Sequence, residues 1–267
     1  MTPPDFHLTE RLGPLILSAP HPGRGLPDAM AGRMTPAGRR QLDADHHVHA
    51  LYDFAEAIGA TTLTAQWSRY VVDLNRSPDD QPLYPGQFGS GLVPTETFDG
   101  ETLYLDGETP GRDEVAARVA RYWRPYHEAL ARLIDATRRR HGYCLVWDCH
   151  SIAPVAPRLF EGRLSDLNLG SFDGRACPAA LAKAVLEAIP AEAPYSRVLD
   201  GRFKGGFITR QYGRPADGVF ALQLELSQAV YLADDASLQV DPARHDRLRP
   251  SLRAMIDTFL HEAPRHV

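Results

Sequence analysis

The feature that most restricts how this chain can fold is a series of short apolar runs, several of which end abruptly in polar residues. Leu15 to Ala19, Thr61 to Gln66, Tyr143 to Asp148 and Val219 to Leu226 are apolar or β-branched, and each is too short to be a buried helix. Helical stripes lie between them. Asp43 to Ile58 places Val48, Leu51, Tyr52, Ala55 and Ile58 at helical spacing, with Gly59 as a cap. Asp113 to about Arg140 carries Val115, Val119, Tyr122, Tyr126, Leu130 and Leu133 on one face, and Pro125 is expected to kink it. Pro178 to Ile189 begins with proline in its first turn, and the last helix buries Leu248, Leu252, Met255, Ile256 and Phe259. This alternation predicts an α/β fold: a mixed central sheet with helices on both faces. Tyr70 to Asp73 reads as a further short strand. Ser77 to Gly111, rich in Pro, Gly, Asp and Thr, reads as a long irregular excursion of the kind that carries function. No repeat or linker interrupts the pattern, so residues 1–267 are expected to form one domain.

Composition narrows the partners. Hydrophobic residues at 43% and charged residues at 24% exclude a largely disordered chain. No apolar run reaches the roughly 20 residues that a membrane helix needs. Met1 to Glu10 has no basic-then-apolar pattern, and a cytoplasmic protein is expected. A net charge of −5 argues against nucleic acid as a partner. Of the 29 basic residues only Lys183 and Lys204 are lysines, and the abundance of Arg follows mostly from compositional bias. Arginine is also the residue that grips carboxylates with a planar fork. Cys144, Cys149 and Cys177 are odd in number and form no CxxC, so neither a disulfide framework nor a thiolate metal site is expected.

In α/β sheets, ligand groups sit where strands end, and the chemically interesting residues fall there. His21 follows the first run. Asp43-Ala44-Asp45-His46-His47-Val48-His49 opens the first helical stripe, where aspartates ordinarily cap and clustered histidines are ordinarily solvated. Asp148-Cys149-His150-Ser151 ends a buried run, which suits His150 to a ligand role with Asp148 orienting its ring from the same strand face. Arg69 and Arg76 flank Asp73-Leu74-Asn75, and Asn75 with Arg76 can donate to one carboxylate. In Gln223-Leu224-Glu225-Leu226, Glu225 shares a face with Gln223 while the leucines share the other. A carboxylate in such a run needs a partner, a metal or a reaction. Gly201 to Gly213 lacks phosphate-loop spacing, Gly23 to Gly25 lacks the dinucleotide fingerprint, and no GxSxG elbow occurs. From the residues alone, the chain reads as a metal hydrolase for a small acid, with His and Asp ligands, an unliganded Glu and several arginines.

The stretches SAPHPGRGLP, LDADHHVHALYDFAEAIGATTL, SRYVVDLNRSP, RYWRPYHEAL, VWDCHSI, PRLFEGRLSDLNLG, GRFKGGFITRQYG and LQLELSQAVY run from about residue 18 to 231. Together they closely resemble the N-formylglutamate deformylase (N-formylglutamate amidohydrolase) family, which belongs with zinc carboxypeptidase-like and aspartoacylase-like α/β hydrolases. The resemblance implies one divalent ion, zinc by preference, on His21, Asp45 and His150, with Asp43 competing for the acidic position. It implies that Glu225 activates water and then protonates the departing amine, that Arg69 stabilises the oxyanion, and that Asn75 and Arg76 hold a substrate carboxylate. Arg210 and Tyr212 are assigned to the second carboxylate of a small dicarboxylate substrate. His127 either lines the site or is a structural histidine. His46 stands where the family has an aromatic residue and offers a spare imidazole. The implied reaction is hydrolysis of N-formyl-L-glutamate to L-glutamate and formate in histidine degradation. The alternatives are deacylation of another N-acyl or N-formimino amino acid, or silent dicarboxylate binding.

Overall fold

The apolar runs pair into one mixed sheet. The computed structural model describes residues 5–83, 86, 89–234 and 237–267. Its strands are β1 (Phe6–Thr9), β2 (Leu15–Ala19), β3 (Thr61–Ala65), β4 (Cys144–Ile152), β5 (Leu167–Gly170), β6 (Arg197–Leu199) and β7 (Val219–Ser227). They lie in the order β1-β3-β2-β4-β7-β5-β6. The central β3, β2, β4 and β7 are parallel, whereas β1 and β5 join antiparallel to β3 and β7. The helices are α1 (Asp28–Ala31), α2 (Pro36–Arg40), α3 (Arg112–Arg118), α4 (Arg124–His141), α5 (Ala179–Glu187), α6 (Phe207–Tyr212) and α7 (Pro242–Glu262). Among the described residues no helix is long and apolar enough to cross a membrane.

Strand alternation divides the side chains between two cores. Leu145, Trp147 and Cys149 of β4 and Phe220, Leu222 and Leu224 of β7 pack with Leu181 and Val185 of α5 and Leu252, Met255 and Phe259 of α7. On the other face Cys144, Val146, Val219 and Ala221 meet Leu130, Leu133 and Ile134 of α4 and Ile208 of α6. Farther along the strands this second face turns polar, with Asp148 and His150 on β4 and Gln223 and Glu225 on β7. β4 and β7 stay paired over nine residues, from Cys144 opposite Val219 to Ile152 opposite Ser227, so β4 extends past the expected end at Asp148. His150 is thereby set directly opposite Glu225.

Two local expectations are corrected and a third gains detail. Asp43 to Ile58 is not an α-helix: only Val48–Tyr52 is helical, as a 3-10 turn. The apolar spacing is real, since Val48, Leu51, Tyr52 and Ala55 are buried. However, Asp45 N–H is drawn to His21 O, and His47 adopts a left-handed φ of 57°. Tyr70 to Asp73 is a turn rather than a strand. Val71 N–H bonds back to Ser68 O, and the Arg118 guanidinium takes up the carbonyl of Val71. The long helical stripe carries a further irregularity beside Pro125: a π-helical turn, Val119–Trp123, joins α3 to α4 without a break in the helical backbone, and Pro125, which has no N–H to give, follows it directly. The 77–111 excursion is irregular as expected, apart from isolated bridges such as Glu96 with Thr102. Residues 84, 85, 87 and 88 within it lie outside the described residues.

Leu222 is fully buried between β7 and the α5/α7 layer. Leu222→Ala should lower stability by about 2–5 kcal/mol, as cavity-forming core substitutions do, measured by urea unfolding.

Candidate metal centre and active site

The elements converge where the parallel strands end. β2 lies between β3 and β4, so the chain reverses its direction of travel across the sheet there, and a crevice opens at the strand ends. His21 follows β2 by two residues, His150 lies on β4, and Asp45 is carried on the loop before the 3-10 turn. Each of these three buried residues offers a ligand atom, and the atoms lie within 4.8 Å of one another. His21 Nδ1 is 3.7 Å and His150 Nδ1 is 2.9 Å from the same oxygen, Asp45 Oδ2. Ser151 N–H donates to that oxygen and holds it in place.

The opposite ring nitrogens are already engaged. His21 Nε2 donates to Asp73 Oδ1 at 2.7 Å. His150 Nε2 lies 3.2 Å from Asp148 Oδ2 and 2.9 Å from Asn75 Nδ2. This leaves both Nδ1 atoms turned toward Asp45. His21 Nδ1 is buried with no hydrogen-bond partner, the kind of orphaned donor atom a cation satisfies. Two imidazoles and a carboxylate, with their far sides fixed by carboxylates, match the donor set and outer shell of a three-ligand zinc-type centre. The surroundings favour positive charge as well. Burial lowers the basicity of His150, but Asp148 and Asp45 outweigh it and hold its pKa well above the ordinary histidine value. Burial likewise pushes the Asp45 carboxyl up, and the two imidazoles more than reverse this.

Asp73 connects these ligands to a cation. Its carboxylate accepts from His21 Nε2, from Arg69 Nη2 at 2.6 Å and from Asn75 N–H at 2.8 Å. Burial opposes its ionisation, but His21 and Arg69 hold it well below the usual carboxylate range. Arg69 gains in the same way: burial lowers its basicity, and Asp73, Asp45 and Asp43 raise it further than burial lowers it.

Beside the cluster lies a cavity of about 240 Å³, lined by His21, His150, Arg69, Asn75, Arg76, Arg202 and Glu225 among others. Phe98, Ile152, Leu159 and Phe203 supply its apolar wall. Glu225 accepts a hydrogen bond from Gln223 Nε2 at 3.2 Å. Burial pushes its carboxyl up to about 8, with His150 opposing the shift. Asn75 is wedged against Gly206, where a Cβ would come within 2.2 Å of the Asn75 amide nitrogen, so only glycine fits.

Several expected residues fall elsewhere. Arg210 does not line the cavity; it donates to Gly205 O and Leu83 O and bridges two loops that do. Tyr212 is buried behind the site, paired with His127. His127 is likewise behind it, bonded to Leu74 O and stacked on Trp123, and does not line the cavity. Asp148 acts on the His150 ring from behind rather than lining the cavity. Asp43 Oδ2 accepts from Tyr70 OH and Phe98 N–H, and Asp43 is not part of the cluster that Asp45 joins. His46 bonds to Leu42 O and is not part of the ligand group. The residue that reasoning from sequence passed over is Arg202. It stands in the glycine-rich 201–213 stretch, and that stretch was the available signal.

Two outcomes follow from this geometry. Asp73→Asn keeps the shape but removes the negative charge behind His21. Bound-metal affinity should fall by about 10–100-fold, read by competition with a chromophoric chelator. His127 should also leave a pH signature. Burial lowers its pKa to about 4 from an ordinary value of 6.5. The unfolded chain therefore binds the proton more readily. The stabilisation is complete above pH 6.5 and is lost as pH falls toward 4, by about 3 kcal/mol. Urea unfolding across this range should show that loss, and His127→Gln should flatten it.

The family model for N-formylglutamate amidohydrolase matches residues 13–232. The N-formylglutamate deformylase of Pseudomonas aeruginosa is 45% identical over 248 residues, 92% of either chain. That of Pseudomonas putida is 46% identical over 222 residues, 83% of this chain and 82% of its own. The crystal structure of N-formylglutamate amidohydrolase from Ralstonia eutropha superposes with a TM-score of 0.83 at 27% identity, covering 98% of this chain and 99% of that one. With its sheet, its His-Asp-His cluster and these relatives in agreement, the chain belongs to the N-formylglutamate amidohydrolase family.

Proposed function

We propose that this protein hydrolyses N-formyl-L-glutamate to formate and L-glutamate, using one divalent ion, zinc by preference, held by His21, Asp45 and His150. The observation that carries this reading is that a single cavity joins two members of the ligand cluster to Glu225 and to three arginines, Arg69, Arg76 and Arg202. A small dianion with one amide bond to break suits that combination of charges.

A bound divalent cation supplies Lewis-acid polarisation of the formyl carbonyl, acidifies water, and adds positive charge that favours the ionised form of nearby Glu225. The carboxylate of Glu225 takes a proton from the attacking water as the new C–O bond forms. The same group returns a proton to the amino nitrogen as the C–N bond breaks, so formate and the free amine leave together with no net change at Glu225. Arg69 is held as a firm cation by Asp73 and stabilises the negative charge that develops on the formyl oxygen. Asn75 and Arg76 take one carboxylate of the substrate. Arg202 takes the other, in place of Arg210. Phe98, Leu159 and Phe203 shield the reacting centre from bulk water.

A role in histidine degradation is the physiological setting that goes with this substrate. A cytoplasmic location is part of the proposal, supported by three buried cysteines with no disulfide between them. The single-domain reading of residues 1–267 is supported by the seven strands sharing one sheet.

The deciding experiment measures formate release from N-formyl-L-glutamate before and after chelation, with metal analysis of the protein. Activity should disappear with the metal and return with zinc. Full turnover by metal-free protein would sink the proposal, as would a metal-loaded protein that cleaves only other N-acyl amino acids or none. Glu225→Gln should retain the metal and lose at least about 100-fold in kcat, the low end of general acid–base catalysis.

A further inference from the structure

The turn that carries Asn75 and Arg76 belongs to no strand or helix, yet its backbone is held at every step. Three successive carbonyls each meet a donor from outside the turn. His127 Nε2 donates to Leu74 O at 2.8 Å, Phe207 N–H to Asn75 O at 3.2 Å and Trp123 Nε1 to Arg76 O at 3.0 Å. The side chain of Asn75 is fixed as well, because Ile208 N–H donates to Asn75 Oδ1 at 2.8 Å. Irregular backbone with buried carbonyls needs such partners, and here two of them come from one helical face.

Trp123 and His127 are four residues apart, and their rings stack with centroids 3.8 Å apart. Phe207 closes on both, at 5.7 and 5.4 Å between ring centroids. Tyr212 OH lies 2.9 Å from His127 Nδ1 and donates to it, which leaves Nε2 as the donor toward Leu74. The π-helical turn Val119–Trp123 ends at the first of these two residues. A widened turn of this kind adds one residue and rotates the following helix face by about 100° relative to a continuous α-helix. Tyr122 packs against Trp67, while Trp123 and His127 face the turn.

We propose that Trp123 and His127, set in place by the π-helical turn, are positioning residues for substrate recognition: they hold the Leu74–Arg76 backbone so that Asn75 and Arg76 meet a substrate carboxylate already in the binding geometry. Neither lines the cavity; they act through the backbone of residues that do. The contribution is preorganisation, which appears in substrate affinity rather than in the chemical step. The inference rests on Asn75 and Arg76 being the carboxylate pair.

Trp123→Phe keeps the stacked ring and deletes one N–H. The variant is to be assayed on N-formyl-L-glutamate as metal-loaded enzyme, with calorimetric binding of L-glutamate, metal content and Tm measured alongside. KM and the glutamate Kd should each rise about tenfold, the loss of one buried hydrogen bond. The kcat should stay within about twofold, with metal content unchanged. Should the variant fail to fold, His127→Phe, which keeps a stacked ring and deletes the N–H to Leu74 O, carries the same expectation. Arg76→Ala is the parallel control. If Arg76→Ala raises KM and Trp123→Phe does not, or if Trp123→Phe lowers kcat and raises KM together, the positioning role is overturned while the carboxylate reading stands. If Arg76→Ala leaves KM and Kd unchanged, the carboxylate reading fails and the inference falls with it.

Discussion

Asp73 is an ionised carboxylate at 1% exposure, and three separate functions are fastened to it. One oxygen receives His21 Nε2 and the backbone N–H of Asn75; the other receives Arg69. A buried carboxylate without partners would take up a proton instead, so its charge persists only while all three donors are in place. The same charge dictates what those donors can do. It fixes the His21 tautomer with Nδ1 turned toward Asp45. It keeps Arg69 cationic and directed at the cavity, and it sets where the Asn75–Arg76 turn begins. His21, Arg69 and the Asn75–Arg76 turn are therefore tied to one carboxylate, and a disturbance to any of them is felt by the other two.

That body stands where it does because of the sheet. Parallel strands buried on both faces are apolar nearly throughout, which holds for the early parts of β4 and β7. Beyond Val146 and Ala221 that face turns polar, and the strand period of two delivers His150, Gln223 and Glu225 to the cavity, with Asp148 behind the His150 ring. The β4–β7 register puts the metal-ligand candidate His150 across from Glu225 without any loop having to place them. Loops bring the remainder, and each is anchored to the strand ends: Asp45 by His21 O and Ser151 N–H, and the 201–206 stretch by the bond from Gly206 N–H to Gln223 Oε1. Rigid strands thus carry Glu225 and His150, while the cavity's arginines arrive on segments pinned to them.

Much of this was legible beforehand, for physical reasons. The runs at 15–19, 61–66, 143–148 and 219–226 have the right length and branching to be strands, and all four are. Polar residues that interrupt such runs, as Asp148, His150 and Glu225 do, have few alternatives to a site. The edge strands β1 and β6, and β5 inside β6, leave no clear signal because they are short and only partly apolar. The 43–58 segment shows the converse case, a helical spacing that survives as burial while tertiary hydrogen bonds around Asp45 override the helix. Arg210 and Tyr212 looked like substrate ligands because they sit in a cationic, aromatic stretch. Composition cannot say which arginine of such a stretch turns inward, and the structure turns Arg202 inward while Arg210 straps two loops together.

The sequence by itself determined the alternating architecture, the family, and the His, Asp, Glu and Arg residue types available to the site, because periodicity and polar interruptions of apolar strands are local properties. Tertiary structure decided the choices among equals. Asp45 rather than Asp43 faces the imidazoles, because Tyr70 and Phe98 occupy Asp43. Arg202 rather than Arg210 reaches the cavity, because Gly205 and Leu83 hold the latter. His127 bonds to Leu74 O from behind the cavity, on the face that follows a π-helical turn. Each of these outcomes depends on hydrogen bonds between residues far apart in the chain, and no local pattern records which partner a side chain will meet.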